Sequence, residues 1–281
     1  MSTGTADVFD GPSATSARRT APAWQRAWRA RRREILGLTG LFLALGGWQL
    51  ASWAGEINPL FIGNPVGIGR AFWTMSSNGV LTHNLTVSAK EFFYGFGIGS
   101  ASAMVLGILI GWFKVLDDLT EPLVAAAYAT PYVAFLPLII IWVGIGLWSK
   151  IVIVIWASFF AVLINTQAGV KSIPSELHRV ADSFCVSRAR KLWGLALPTA
   201  VPYILAGLRQ SIGRSLVAVI VAEFYLGNNR GLGSFIQLAS NTYRPNEAFA
   251  AIACFCIAGI VLVRSVAFAE RRVARSRGIT R

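Results

Sequence analysis

The chain has 281 residues, 54% of them hydrophobic and only 14% charged, with mean hydropathy +0.56 and a formal net charge of +13. That balance excludes an ordinary soluble domain and points to a membrane protein. Its basic residues lie between apolar runs, so they read as topology signals and not as a nucleic-acid footprint. Three cysteines, Cys185, Cys254 and Cys256, supply no disulfide framework. The Cys254-x-Cys256 pair sits in an apolar run without histidine, so no metal site is expected.

Residues 1–22 are rich in Ser, Thr, Ala and Gly, lack apolar periodicity, and read as a disordered stretch. Trp24 and Trp28 follow among Arg26, Arg29, Arg31, Arg32 and Arg33. This is the pattern of an interfacial lead-in or a basic topology flank, and either one places the N-terminus in the cytoplasm. Residues 1–33 are thus expected to form a disordered basic tail. The apolar run after it is too long for the core of a cleaved signal peptide.

Residues 35–55 carry no charge and are long enough to span roughly 30 Å of hydrocarbon. Residues 58–83 mix Pro, Gly and a Phe72-Trp73 pair, which suits an outer loop with a short surface helix. Residues 34–83 therefore form a first span with its outer connection, ahead of a core at 84–270. The second span, residues 92–113, repeats Gly95, Gly99, Ala103, Gly107 and Gly111 every four positions. Such a small-residue ridge lets helix backbones approach closely in lipid, and packing within the subunit is the expected use. Lys90 and Glu91 open that helix and read as interfacial.

After a polar break at Lys114, Asp117 and Asp118, an uncharged run over 122–149 contains Pro131 and Pro137. Prolines at membrane depth need neighbouring protein or water to satisfy the carbonyls they free, so this third span lies in protein or beside a cavity. Residues 151–170, 199–225 and 248–268 complete six transmembrane helices, and 271–281 form a basic tail. With both ends on one side, the inside segments hold 18 Lys and Arg against four outside: Arg70, Lys150, Arg230 and Arg244. That bias puts both termini and the segment 171–198 in the cytoplasm.

Segment 171–198 is polar and helix-patterned. Leu177, Val180, Ala181 and Phe184 recur at helical spacing behind Pro174. Cys185 interrupts, Ser187 is a candidate N-cap for a second short helix, and Pro198 is expected to end it. Two such short helices are marginal alone, so neighbouring spans and a soluble partner must hold them. Five cations, Lys171, Arg179, Arg188, Arg190 and Lys191, against Glu176 and Asp182 suit a partner groove of acidic character. Membrane lipid is the competing contact.

The rest of the chemistry is spare. No phosphate-cradling Gly-rich loop, zinc motif or nucleophile elbow occurs, so the chain is no enzyme and binds no cofactor of its own. Within the fifth span lie Arg209, Arg214 and Glu223. Charges at membrane depth are costly and mark function by default. Arg209 suits snorkelling to the interface. Arg214 and Glu223 divide evenly between structural pairing and a pathway role.

Ala181, the break at Cys185, Leu197-Pro198 and Gly207-Leu208-Arg209 resemble the cytoplasmic coupling loop of ATP-binding-cassette importer permeases. That loop reads Glu-Ala-Ala, three residues, Gly, then Leu-Pro. Here Arg179 and Val180 replace Glu and the first Ala, and Cys185 replaces Gly, which alters the charge offered and forces the turn without glycine's freedom. The stretches TPYVAFLPLIIIWVGIG and GNNRGLGSFI are similar to the same family, nearest its nitrate, sulfonate and taurine branch. The resemblance implies a type I (MetI-like) permease that works as a homodimer, with two ATPase subunits carrying ATP and Mg and a binding protein delivering a small anion from outside. It makes Glu176, Arg179, Val180, Ala181, Phe184, Cys185, Ser187, Arg188, Arg190, Leu197 and Pro198 the ATPase-coupling residues. Pro131, Pro137, Arg214 and Glu223 are then pathway candidates. A secondary transporter is the alternative, but no inverted repeat is evident.

Overall fold

A computed structural model describes residues 23–226 and 230–276. The tail read at residues 1–22, residues 227–229 of the expected outer loop and the last five residues lie outside the described part.

Among the described residues the protein is helical throughout. Helix α1 spans Ala23–Trp53, α2 Pro65–Ser77, α3 Val80–Trp112 and α4 Lys114–Ala129; a short 3-10 turn, Tyr132–Phe135, leads into α5, Leu136–Val143. Then come α6 Leu147–Lys171, α7 Ser175–Ser183, α8 Arg188–Lys191 and a wide π-type turn, Leu192–Ala196. Helix α9 covers Leu197–Leu226, α10 Leu232–Asn241 and α11 Pro245–Ser276. Five of these stretches are long and apolar enough to cross a membrane. The sixth expected span is α4 with α5, bent by 83° at Thr130-Pro131. The proline at the bend cannot donate the backbone bond a continuous helix would need there. Pro137 falls in the first turn of α5, where a missing N–H costs nothing.

Helix α6 is the centre of the bundle, with α3 packed on one side and α9 on the other. The small-residue ridge of α3 does what its spacing predicts. Gly95 lies against Val154, Gly99 against Ser158, Gly107 against Thr166 and Gly111 against Val170. A Cβ at Gly107 would meet the Leu163 carbonyl oxygen at 2.9 Å, so the backbones touch. Gly207, in the Gly-Leu-Arg run, performs the same service between α9 and α6, where a Cβ would stand 2.8 Å from that of Asn165.

Lipid offers no hydrophobic gain for helix pairing, so this van der Waals contact is a main part of what holds α3 to α6. Gly99→Leu should therefore destabilise the solubilised protein by at least about 1–3 kcal/mol, the ordinary cost of overpacking. Gly97→Leu, whose Cβ would meet nothing within 4 Å, should leave its melting temperature unchanged. Equal effects of the two in a thermal-shift series would refute this account of the ridge.

Several boundaries differ from expectation: helix α1 begins at Ala23 and α11 runs to Ser276, both within stretches expected as tails, because the helix hydrogen-bond ladder continues past the apolar run. Helix α3 begins at Val80, three turns earlier than the apolar pattern suggests, because Asn84, Ser88 and Glu91 are polar yet buried. Pro198 does not end a helix: α9 starts at Leu197 and runs on to Leu226. The π-type turn just before it lifts the ladder out of register where proline has no N–H to give.

Helix α2 begins as its sequence directs, with Asn64 as N-cap accepting the Gly67 N–H at 2.7 Å and Pro65 in the first turn. Helix α1 stands apart. Only 6% of its apolar window is buried, and it touches the bundle mainly at its end through Trp48 on Phe249 and Gln49 on the Val66 N–H.

Candidate functional site

Between α6 and α9 the chain leaves the bundle and makes a bent pair of short helices. Helix α7 is closed by a left-handed residue, Cys185, at φ 50°. The Cys185 N–H donates to the Asp182 carbonyl at 2.9 Å and the Val186 N–H to the Ala181 carbonyl at 3.0 Å. This paired arrangement is the Schellman closure, normally made with glycine. For a residue with a Cβ the left-handed conformation costs about 1–2 kcal/mol. Part of that returns on substitution, since glycine loses more backbone freedom on folding. Cys185→Gly should thus stabilise the turn by a net of about 0.5–1 kcal/mol. Slower hydrogen exchange at the amides of residues 184–186 would report it; faster exchange would contradict it.

Ser187 then caps α8 as anticipated, accepting the Arg190 N–H at 3.4 Å. The two helices are stapled by an ion pair between Asp182 and Lys191. The Lys191 ammonium holds the Asp182 carboxyl below the usual carboxylate range. The staple is therefore intact at neutral pH and is lost only as pH falls through that lowered value. Lys171, at the end of α6, pairs with Asp117 on α4 at 2.6 Å.

The faces of α7 divide sharply. Ala181 points inward and is 7% exposed, whereas Leu177, Val180 and Phe184 form an outward apolar stripe, with Phe184 78% exposed. Glu176 and Arg179 flank that stripe and face each other at 3.5 Å, both solvated. Arg188 and Arg190 are exposed on α8, and Trp193 stands out beyond them. Leu197 and Pro198 are half-buried at the start of α9.

The second group of candidates lies inside the bundle. Arg214 on α9 is half-buried, with its guanidinium 4.6 Å above the ring of Tyr128, the last full turn of α4 before the bend at Pro131. Both Pro131 and Pro137 are exposed along that bent segment. Glu223 is fully buried. It accepts a hydrogen bond from Ser88 Oγ at 2.6 Å and another from the Gly233 N–H. The Gly231 N–H goes to Asn84 Oδ1 at 3.0 Å and the Leu232 N–H to Ser88 Oγ at 2.9 Å. The unpaired amides at the start of α10 are thereby satisfied from α3 and α9.

Beside this cap sits a group that the sequence reading misassigned. Glu91 is buried, not interfacial, and Lys150 is not in an outer loop: Lys150 Nζ lies 2.9 Å from Glu91 Oε1, both almost fully enclosed. Together with Lys90 and Arg230 they line a cavity of about 220 Å³. The signal that finds the α3 side of this cluster is the spacing of Asn84, Ser88 and Glu91, which fall on one helical face. Arg209 is partly exposed near Glu270, 3.8 Å away, in keeping with a snorkelling residue.

Residues 103–276 match the family described as "Binding-protein-dependent transport system inner membrane component". The chain belongs to that permease family. It is 30% identical to the putative aliphatic sulfonates transport permease protein SsuC of Bacillus subtilis, over 82% of this chain and 83% of that one. With the taurine transport system permease protein TauC of Escherichia coli it shares 29% over 88% of this chain and 91% of the other. The MetNI methionine ABC transporter, in an inward-facing conformation, has a permease of like fold (TM-score 0.51, 18% identity, 72% of this chain and 94% of that chain).

This permease is therefore the all-α, multi-pass membrane subunit of an ATP-binding-cassette importer of the inner membrane. It is not the catalytic subunit; ATP and its metal belong to a separate ATPase in such systems.

Proposed function

We propose that the permease forms, as a homodimer, the translocation pathway for a small organic anion of the sulfonate class. A binding protein delivers the anion from outside and two ATPase subunits drive its passage from the cytoplasm. The observation that carries this reading is the bent helix pair of residues 175–191, tied directly to the two spans α6 and α9 and offering an apolar stripe that the described residues leave exposed. Leu177, Val180 and Phe184 enter the ATPase groove, Arg188 and Arg190 flank it, and motion of the pair passes into α6 and α9 as rigid helices.

The sulfonate and taurine permeases among the relatives support the anion class. Arg214, at the bend of α4 and α5 and partly desolvated against Tyr128, is the cation that meets a sulfonate on the way through. Glu176, Arg179 and the Cys185 turn position the pair. In this reading residues 84–270 are the permease core, and both termini face the cytoplasm with residues 171–198.

Charge reversal tests the docking half. Arg188→Glu and Arg190→Glu should each weaken co-purification of the ATPase about tenfold while leaving membrane insertion normal, in line with roughly 1–2 kcal/mol for a flanking interfacial charge. Normal assembly in both variants would remove the segment from the interface.

A further inference from the structure

Between the coupling pair and the ends of α3 and α6 lies a cavity of about 310 Å³. Its walls are Gly111, Trp112 and Phe113 at the end of α3, Val170, Lys171 and Ile173 at and just after the end of α6, and His178, Arg188 and Lys191 of α7 and α8. Among the described residues three fixed cations and one histidine line it, and no carboxylate does.

Two of the cations have partners: Lys171 pairs with Asp117 and Lys191 with Asp182, both acids lying outside the walls. Arg188 makes no ion pair among the described residues. The carbonyl ends of α3 and α6 take up part of this positive charge. One guanidinium remains over, and it borders an open-sided cavity far larger than a capping interaction requires.

The depth of the cavity narrows the choice of occupant. It opens where α3 and α6 reach the end of their membrane-spanning lengths, next to Trp112 and Phe113, and Trp193 stands exposed on the neighbouring turn. Aromatic side chains gather at this level of a bilayer because one end of each ring system is apolar and the other wet. Leu109, Phe113 and Leu116 are all exposed and run from this rim along α3 and into α4. A molecule with an anionic head and an apolar body fits both parts; basic pockets on the cytoplasmic side of membrane helices take phosphate headgroups for this reason.

We propose that this cavity binds a phosphate group, that of an anionic phospholipid of the cytoplasmic leaflet, and that the bound headgroup braces the coupling pair against the ends of α3 and α6. The proposal rests on the cytoplasmic placement of residues 171–198 argued above. Arg188 and Lys191 hold the phosphate from α8, Lys171 from α6, and His178 closes it from α7.

The test uses the full chain in neutral detergent, titrated with short-chain phosphatidylglycerol, with phosphatidylcholine and with inorganic phosphate, and read by native mass spectrometry. One phosphatidylglycerol per chain should be retained in preference to phosphatidylcholine. Lys171→Gln and Arg188→Gln should each weaken it about fivefold, the effect of one cation near a phosphate surface. Arg230→Gln, at the other end of the bundle, should change nothing. Binding of inorganic phosphate with the same sensitivity would assign the site to a soluble phosphate ester and overturn the lipid. Lipid retention that ignores both substitutions, or no retention, would overturn the site itself. Orientation is read separately, by an impermeant maleimide on Cys185 in a Cys254→Ala, Cys256→Ala background. Labelling in intact cells would sink the cytoplasmic placement, and with it the inner-leaflet source, while the detergent result stands by itself.

Discussion

Lys150→Met should be the most damaging single substitution in the bundle, costing about 3–5 kcal/mol, because it strands a buried carboxylate without its counter-ion. Lys150 lies in the first turn of α6, where the helix dipole already disfavours a cation, so Glu91 is what holds it there. Removing the ammonium leaves Glu91 facing Glu223 in an enclosed space, and Glu223 is the acceptor for the N-terminal turn of α10. The damage should therefore spread from α6 to the Gly231–Ser234 backbone. A double substitution, Lys150→Met with Glu91→Leu, should recover most of the loss, since an apolar pair of similar volume pays no desolvation penalty. Thermal denaturation of the four members of this cycle measures the coupling. Additive losses would mean that the two side chains do not act as a pair.

Phe184→Asp should abolish ATP-driven uptake while leaving the permease folded and inserted. Phe184 is the most exposed of the three stripe residues, and aromatic side chains dominate the energetics of protein interfaces. A loss of about 2 kcal/mol or more is expected for such an anchor, roughly thirtyfold in assembly affinity. Val180→Asp should act in the same direction. Ala181 is different: it faces the inside of the pair, so a bulky residue there would disturb α7 against its own chain before it met any partner. Normal ATPase binding by Phe184→Asp, measured by co-purification in detergent, would place the interface elsewhere.

The elements legible in the sequence were those with a strong period. Uncharged runs located the spans, and the four-residue repeat from Gly95 to Gly111 foretold a close helix contact that α6 supplies. The turn at Cys185 and the cap at Ser187 could be read because local backbone chemistry decides both. What could not be read depended on contacts far apart in the chain. Glu91 and Lys150 are separated by 59 positions, and each looks like an ordinary charged flank until α3 and α6 are set side by side. Pro198 was misleading for a related reason: proline ends most helices, but a wide turn before it and packing of α9 on α6 carry the helix through. The bend at Pro131 was signalled only by the proline itself, since the run around it is apolar on both sides.

The most direct measurement is solute uptake into liposomes holding the permease, with and without its ATPase, at saturating ATP and with the binding protein supplied outside. Accumulation of a sulfonate only when the ATPase and ATP are both present, and its loss in Phe184→Asp, is the expected result. Accumulation by the permease alone, indifferent to ATP, would contradict it.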